Sequence, residues 1–183
     1  MRGPFSFVSD SIAENVLIRE NAVTQPPSTE KFEAIEIGPD HHQVYTEIVI
    51  EAPKADVWKV LTDFAAMPDW SSSFKGVIGD FSDGAQVRTC FDLGEGIEEY
   101  SATLRVIDKV EFGWSEDYDG IRDNHRYRLE VVAPRRAKFI QTDAFRGRAD
   151  WAKTGELAEF YLAQYVDFNR ALKSVCERLS SPS

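Results

Sequence analysis

Between Ile121 and Val132 the chain alternates with period two. His125, Tyr127, Leu129 and Val131 fall on one side, Arg126, Arg128 and Glu130 on the other. This is the pattern of a strand with one buried and one solvated face. A slip of one residue would turn both arginines inward without partners, at several kcal/mol each. The face carrying His125 is therefore the inner one. After Pro134-Arg135-Arg136, residues Ala137–Phe145 alternate likewise, with Phe139, Gln141, Asp143 and Phe145 sharing a face. So short a connection makes the two stretches antiparallel neighbours. A hairpin closing near Pro134-Arg135 sets Leu129 against Phe139 and His125 against Asp143. A two-residue slip sets Asp143 opposite Tyr127, still within reach. In either register an inward His, Tyr and Asp converge at one end of a sheet.

The rest of the chain supplies the sheet and something for it to wrap. Val44–Glu51 alternates Thr46, Ile48 and Ile50 against Tyr45, Glu47 and Glu51. Ala52-Pro53 ends that strand, and the proline is preorganised for a helix start. Val57, Val60, Leu61 and Phe64 follow at helical spacing beside Trp58, and Pro68 interrupts a second short helix over 65–72. Five strands are expected up to residue 145, with 74–81 able to add one more. Turn chemistry separates them at Ser82-Asp83-Gly84, Gly94-Glu95-Gly96, Asp108-Lys109, Asp117 to Gly120 and Pro134-Arg135-Arg136. Residues 156–179 then form a long amphipathic helix with Leu157, Tyr161, Gln164, Tyr165, Phe168, Leu172, Val175, Cys176 and Leu179 on its apolar stripe. The order predicts an α+β fold, a curved antiparallel sheet with two short helices around a long C-terminal helix.

Residues 1–43 read differently. Asp10 to Arg19 has the pattern of a short helix, and Thr24-Gln25-Pro26-Pro27-Ser28-Thr29 breaks regular structure. We expect residues 1–43 to be an N-terminal arm, too small for a core of its own, and residues 44–183 to be one domain.

Four stretches of that domain carry a resemblance. They are EIVIEAPKADVWKVLTDFAAMPDW, FGWSEDYDGIRDNHRYRLEV, TDAFRG and FNRALKSVCER, spread over residues 47–178. Together they resemble the START/Bet v1-like (SRPBCC) superfamily, also described as polyketide cyclase/dehydrase and lipid-transport-like. Ala133-Pro134-Arg135-Arg136 stands where such proteins usually carry a Gly-rich turn. The resemblance implies a helix-grip fold enclosing a small hydrophobic or aromatic molecule between sheet and last helix. It also admits a cofactor-free cyclase or dehydratase acting on a polyketide-like substrate.

On the catalytic reading His125, Asp143 and Tyr127 move protons, since a carboxylate-oriented imidazole is a usable acid or base near neutrality. On the binding reading they orient polar ligand atoms. Trp70, Phe74, Tyr100, Phe112, Trp114, Gln141 and Tyr161 are the expected ligand-contacting residues. Trp58 is expected in the core. No metal-ligand spacing, phosphate loop or dinucleotide fingerprint occurs, so neither metal nor cofactor is called for. The formal charge of −10 disfavours nucleic acid. No run approaches the roughly 18 apolar residues of a membrane span. No secretory leader is visible, and Cys90 and Cys176 read as buried free thiols, so a cytoplasmic location is expected. Oligomeric state has no signature in the sequence.

Overall fold

The computed structural model describes residues 29–94, 96–118, 120–148 and 153–181. The helix expected over residues 10–19 lies outside them. Strands β1 (Glu30–Gly38) and β2 (His41–Ile50) form a hairpin, followed by helix α1 (Lys54–Thr62) and a 3-10 turn, Met67–Asp69. Then come β3 (Phe74–Ile78), β4 (Gln86–Asp92), β5 (Ile97–Ile107), β6 (Glu111–Tyr118), β7 (Ile121–Ala133), β8 (Arg136–Gly147) and helix α2 (Thr154–Ser180). The strands make one antiparallel sheet in the order β1-β2-β8-β7-β6-β5-β4-β3. Six of them run as a meander, and β2 closes onto its last strand. α2 lies in the concave face, which is the helix-grip arrangement.

The β7–β8 hairpin adopts the first of the two registers, with Leu129 opposite Phe139 and His125 opposite Asp143. Its turn is Pro134-Arg135 alone. A register shift between Val131 and Ala133 ends the regular alternation. Val131, expected inward, is 67% exposed at the hairpin tip, where the shift breaks the alternation.

The expected boundary at residues 43–44 falls inside β2, and β1 extends the sheet within what was read as the arm. β1 is tied to the outer side of α2 by Arg170, which pairs with Glu30 at 3.0 Å and lies over the Phe32 ring. Its pattern hid it. Phe32 and Ala34 are of one parity and Ile35 and Ile37 of the other, so period two does not stand out.

Two apolar clusters fill the grip. The larger joins Ile48, Ile50, Leu61, Phe112, Phe139, Phe168 and Leu172 under α1 and the C-terminal half of α2, and contains Trp58, as expected. The smaller, at the other end, holds Val44, Ile121, Phe145, Ala158 and Tyr165. Both cysteines are buried and unpaired. No described helix is long and apolar enough to cross a membrane.

One glycine sets how closely β6 approaches β7 next to the inner polar groups. A Cβ on Gly113 would lie 2.1 Å from the His125 carbonyl oxygen and 2.9 Å from the Arg126 Cα. Both obstacles are backbone, so the strands would have to part. We expect Gly113→Ala to destabilise the protein by about 1–3 kcal/mol. The urea midpoint should fall at an unchanged slope.

Candidate functional site

A cavity of about 410 Å³ lies between the sheet and the N-terminal half of α2. Among the described residues the sheet side presents Phe91 from β4, Tyr100 from β5, Trp114 and Glu116 from β6, Asp123 and His125 from β7 and Asp143 from β8. The helix presents Leu157, Phe160, Tyr161 and Tyr165, and Leu93 completes the wall. A narrow cleft adjoins it, sharing Phe91, Leu93, Tyr161 and Tyr165 and bordered further in by Phe74, Tyr127, Gln141 and Phe168.

The strand register places His125 and Asp143 side by side, and both are 2% exposed. Tyr165 on α2 reaches across to them. Its hydroxyl donates to Asp143 Oδ2 at 2.6 Å and lies 3.1 Å from His125 Nδ1. With its proton given to the carboxylate, the phenol oxygen accepts from Nδ1–H. The imidazole then has only Nε2 left as an acceptor, and Gln141 Nε2 stands 3.0 Å away to donate to it. Asp143 Oδ1 accepts from the Asn124 backbone N–H at 3.3 Å. Every hydrogen in this chain has one consistent direction, and both imidazole nitrogens are engaged. Trp114 stacks on the imidazole at 4.7 Å and Tyr165 meets its edge at 4.9 Å, so the ring is held by packing as well. One member is left over: Gln141 Oε1, on a side chain 1% exposed, has no partner among the described residues.

Two further carboxylates line the same wall. Glu116 and Asp123 sit directly opposite one another across β6 and β7. Asp123 Oδ1 accepts from the Glu116 backbone N–H at 3.1 Å, and Glu116 Oε1 accepts from the Thr89 hydroxyl at 2.8 Å. Burial pushes the Glu116 carboxyl up to about 7, opposed by the Thr89 hydrogen bond and assisted by the charge of Asp143. Asp123 is pushed well above the usual carboxylate range by burial, then by Asp143 and Glu116. Burial likewise raises the Tyr127, Tyr161 and Tyr165 phenols, so they remain donors at any ordinary pH.

Of the residues singled out in the sequence, His125, Asp143, Tyr100, Trp114 and Tyr161 meet at the cavity. Phe74, Tyr127 and Gln141 border the adjoining cleft instead. Trp70 and Phe112 reach neither. Trp70 packs on Phe168 at 5.2 Å, and Phe112 is fully buried among Trp58, Phe64, Phe81 and Tyr127. A period-two pattern names the inner face of a strand but not which length of it faces solid core.

The sequence reading missed Glu116, Asp123, Tyr165, Phe91, Leu93, Leu157 and Phe160. Asp123 and Glu116 had a legible signal, because each lies two residues from an inward ring, His125 and Trp114. Their charge argued for solvent and outweighed the alternation. Tyr165 stood on the helix's apolar stripe, but nothing local says which strand it meets.

Residues 41–177 match the family described as polyketide cyclase / dehydrase and lipid transport. A search of curated proteins gives no significant match. Among solved structures, a START superfamily protein from Mycobacterium smegmatis superposes with a TM-score of 0.62 at 14% identity, over 75% of this chain and 98% of that one. The Zhui aromatase/cyclase from Streptomyces sp. R1128 gives 0.60 at 20% identity, over 75% and 94%. Ara h 8.0201 gives 0.57 at 15% identity, over 77% and 99%. At these identities the likeness is one of fold.

The acids of the wall make stability depend on pH. Glu116 and Asp123 have folded-state values above those they would have unfolded, so the folded chain binds more protons between the two values. Their contribution is complete below about pH 4 and is lost as pH rises through the folded values. Asp123→Asn keeps a neutral acceptor and removes the ionisable group. Its melting temperature should therefore rise relative to the parent between about pH 5 and pH 9. A difference that stays flat over that range would show that Asp123 is not held as a buried acid.

Proposed function

The chain belongs to the polyketide cyclase / dehydrase and lipid transport family, and we propose that it binds a small hydrophobic or aromatic molecule in the cavity between the sheet and α2. The observation that carries this reading is the space itself. The cavity is partly open and holds about 410 Å³. It falls within the roughly 300–1,000 Å³ of ordinary ligand pockets. Phe91, Tyr100, Trp114, Phe160 and Tyr161 give it aromatic walls, and its carboxylates and imidazole lie on the sheet side.

In this reading His125, Asp143 and Tyr127 are scaffold more than machinery. Both nitrogens of His125 are already bonded, and the ring would have to give up Gln141 or Tyr165 to take a substrate proton. Tyr127 is stacked on Phe139 and Phe74 and is 1% exposed. The trio's work is to hold the sheet side of the cavity in one shape.

A second reading, a cofactor-free cyclase or dehydratase acting on a polyketide-like substrate, has one observation in its favour. Burial pushes the Glu116 carboxyl on the cavity wall up to about 7, which suits a general acid near neutrality.

Native mass spectrometry of the purified protein tests for retained ligand. The quantitative test uses an environment-sensitive apolar dye with the parent and with Leu157→Trp, which fills the cavity from α2. Dye affinity should weaken about tenfold or more while the melting temperature stays close to the parent's. Unaltered dye binding in the filled variant would move the site elsewhere. If turnover of any substrate is found, His125→Ala should retain it under the scaffold reading, apart from a loss of stability. A fall of about 10²–10⁴ in kcat with affinity preserved would assign the imidazole to the chemistry.

A further inference from the structure

The sheet wall of the cavity carries three carboxylates, and the Tyr161 and Tyr165 hydroxyls face them from α2. Asp143 has both oxygens occupied, by the Asn124 N–H and the Tyr165 hydroxyl. Glu116 and Asp123 each have one oxygen bonded, Oε1 and Oδ1, and one with no hydrogen-bond partner among the described residues. Asp123 is only 8% exposed. Further in, beside the adjoining cleft, Gln141 Oε1 is enclosed and has no donor among the described residues. Against these acceptors the described lining offers no lysine or arginine. The arginines of β7, Arg122, Arg126 and Arg128, all point outward and pair there with Asp117, Glu111 and Glu130. His125 offers no free N–H to the cavity, because Nδ1–H is spent on Tyr165. Carboxylates are almost never placed in an apolar wall without a paired cation. Among the described residues no lysine or arginine lines this wall to supply that cation.

We infer that the ligand supplies it: the cavity takes an organic cation, an aromatic or alicyclic molecule carrying a protonated amine, seated against the free oxygens of Glu116 and Asp123. The inference rests on the proposed ligand-binding role of this cavity. An ammonium group has donors only, which suits the two unpaired carboxylate oxygens of Glu116 and Asp123. The rings of Trp114, Tyr100 and Tyr161 add faces that attract a cation and stack on an aromatic body. A metal ion is the poorer guest, since no three His, Cys, Asp or Glu among the described residues are grouped to ligate one.

The groups facing this position are Tyr100 from β5, Glu116 from β6, Asp123 and His125 from β7, Asp143 from β8, and Tyr161 and Tyr165 from α2. Of these, Glu116 and Asp123 are the acids raised by burial, and an ammonium beside them favours their ionised forms. Uptake of the amine should therefore release protons near neutral pH.

Three probes of one shape and different charge test the inference: 1-naphthylmethylamine, 1-naphthylmethanol and 1-naphthoic acid. Calorimetry near pH 8 should rank them amine, then alcohol, then acid, with about tenfold or more between amine and alcohol. The amine's heat should vary with the ionisation enthalpy of the buffer, and the alcohol's should not. In Asp123→Asn with Glu116→Gln the amine's advantage should vanish while alcohol affinity is retained, which also shows that the variant is folded. Alcohol and amine binding equally, or the acid binding best, would overturn the cation inference and leave the cavity's binding role standing. Failure of all three probes, together with failure of the apolar dye, would overturn both.

Discussion

The pairing of β7 with β8 is the constraint from which the interior follows. Side chains on a strand alternate with a period of two, so one residue of slip would exchange the entire inner and outer faces of both strands. The register that sets His125 opposite Asp143 also sets Leu129 opposite Phe139 and Tyr127 opposite Gln141. Polar pairs thus occupy one end of the hairpin and apolar pairs the other. Outside, the same register strings Arg122, Arg126 and Arg128 along solvent with carboxylates beside them. These exposed pairs add little stability individually. Their weight lies in forbidding the alternative register.

From that hairpin a polar layer runs across the grip to α2. Asn169 donates to Thr46 Oγ1 at 2.8 Å, and Thr46 donates to the Gln141 carbonyl at 3.2 Å. Gln141 in turn meets His125, and Tyr165 closes the layer onto His125 and Asp143. Tyr165 and Asn169 are four residues apart, so one face of one helical turn makes both attachments. On the α1 side of this layer, Phe168, Leu172 and Cys176 pack solidly against the sheet. On the other side the helix carries Leu157, Phe160 and Tyr161, and the sheet curves away from them to leave the cavity. Fixing the helix at the layer lets one half of the interior be core and the other half stay open.

The open half concentrates unfavourable electrostatics. Three carboxylates share one wall, two of them facing each other on neighbouring strands, where like charges are destabilising. A protein selected only for stability would replace them with apolar side chains at little cost. Their placement beside aromatic walls fits a guest of complementary charge, which would tie the cost in the empty protein to affinity in the filled one.

Several layers of this were legible in the sequence. The strands from β2 onward, the punctuating turns, the long helix and the inward face of His125 came from periodicity and from turn residues, because these are short-range consequences of backbone geometry. The neighbourhood of His125 and Asp143 was legible as one of two registers, since a tight hairpin leaves few ways to pair. What the local pattern could not resolve was any relation depending on curvature or on distant elements. It cannot tell that Phe112 enters solid core and Trp70 packs half-buried against it while Phe91 and Phe160 face the cavity, because all four are simply apolar. It cannot assign Tyr165 to His125, 40 residues away on another element. It misjudged Asp123 and Glu116 because a carboxylate's preference for water is an average, and burial is decided by which strands cover it. The sequence by itself determined the elements and their faces, through backbone and hydrophobic periodicity. Only the tertiary structure decided where the sheet lifts off the helix, and therefore which of the inward side chains can meet a ligand.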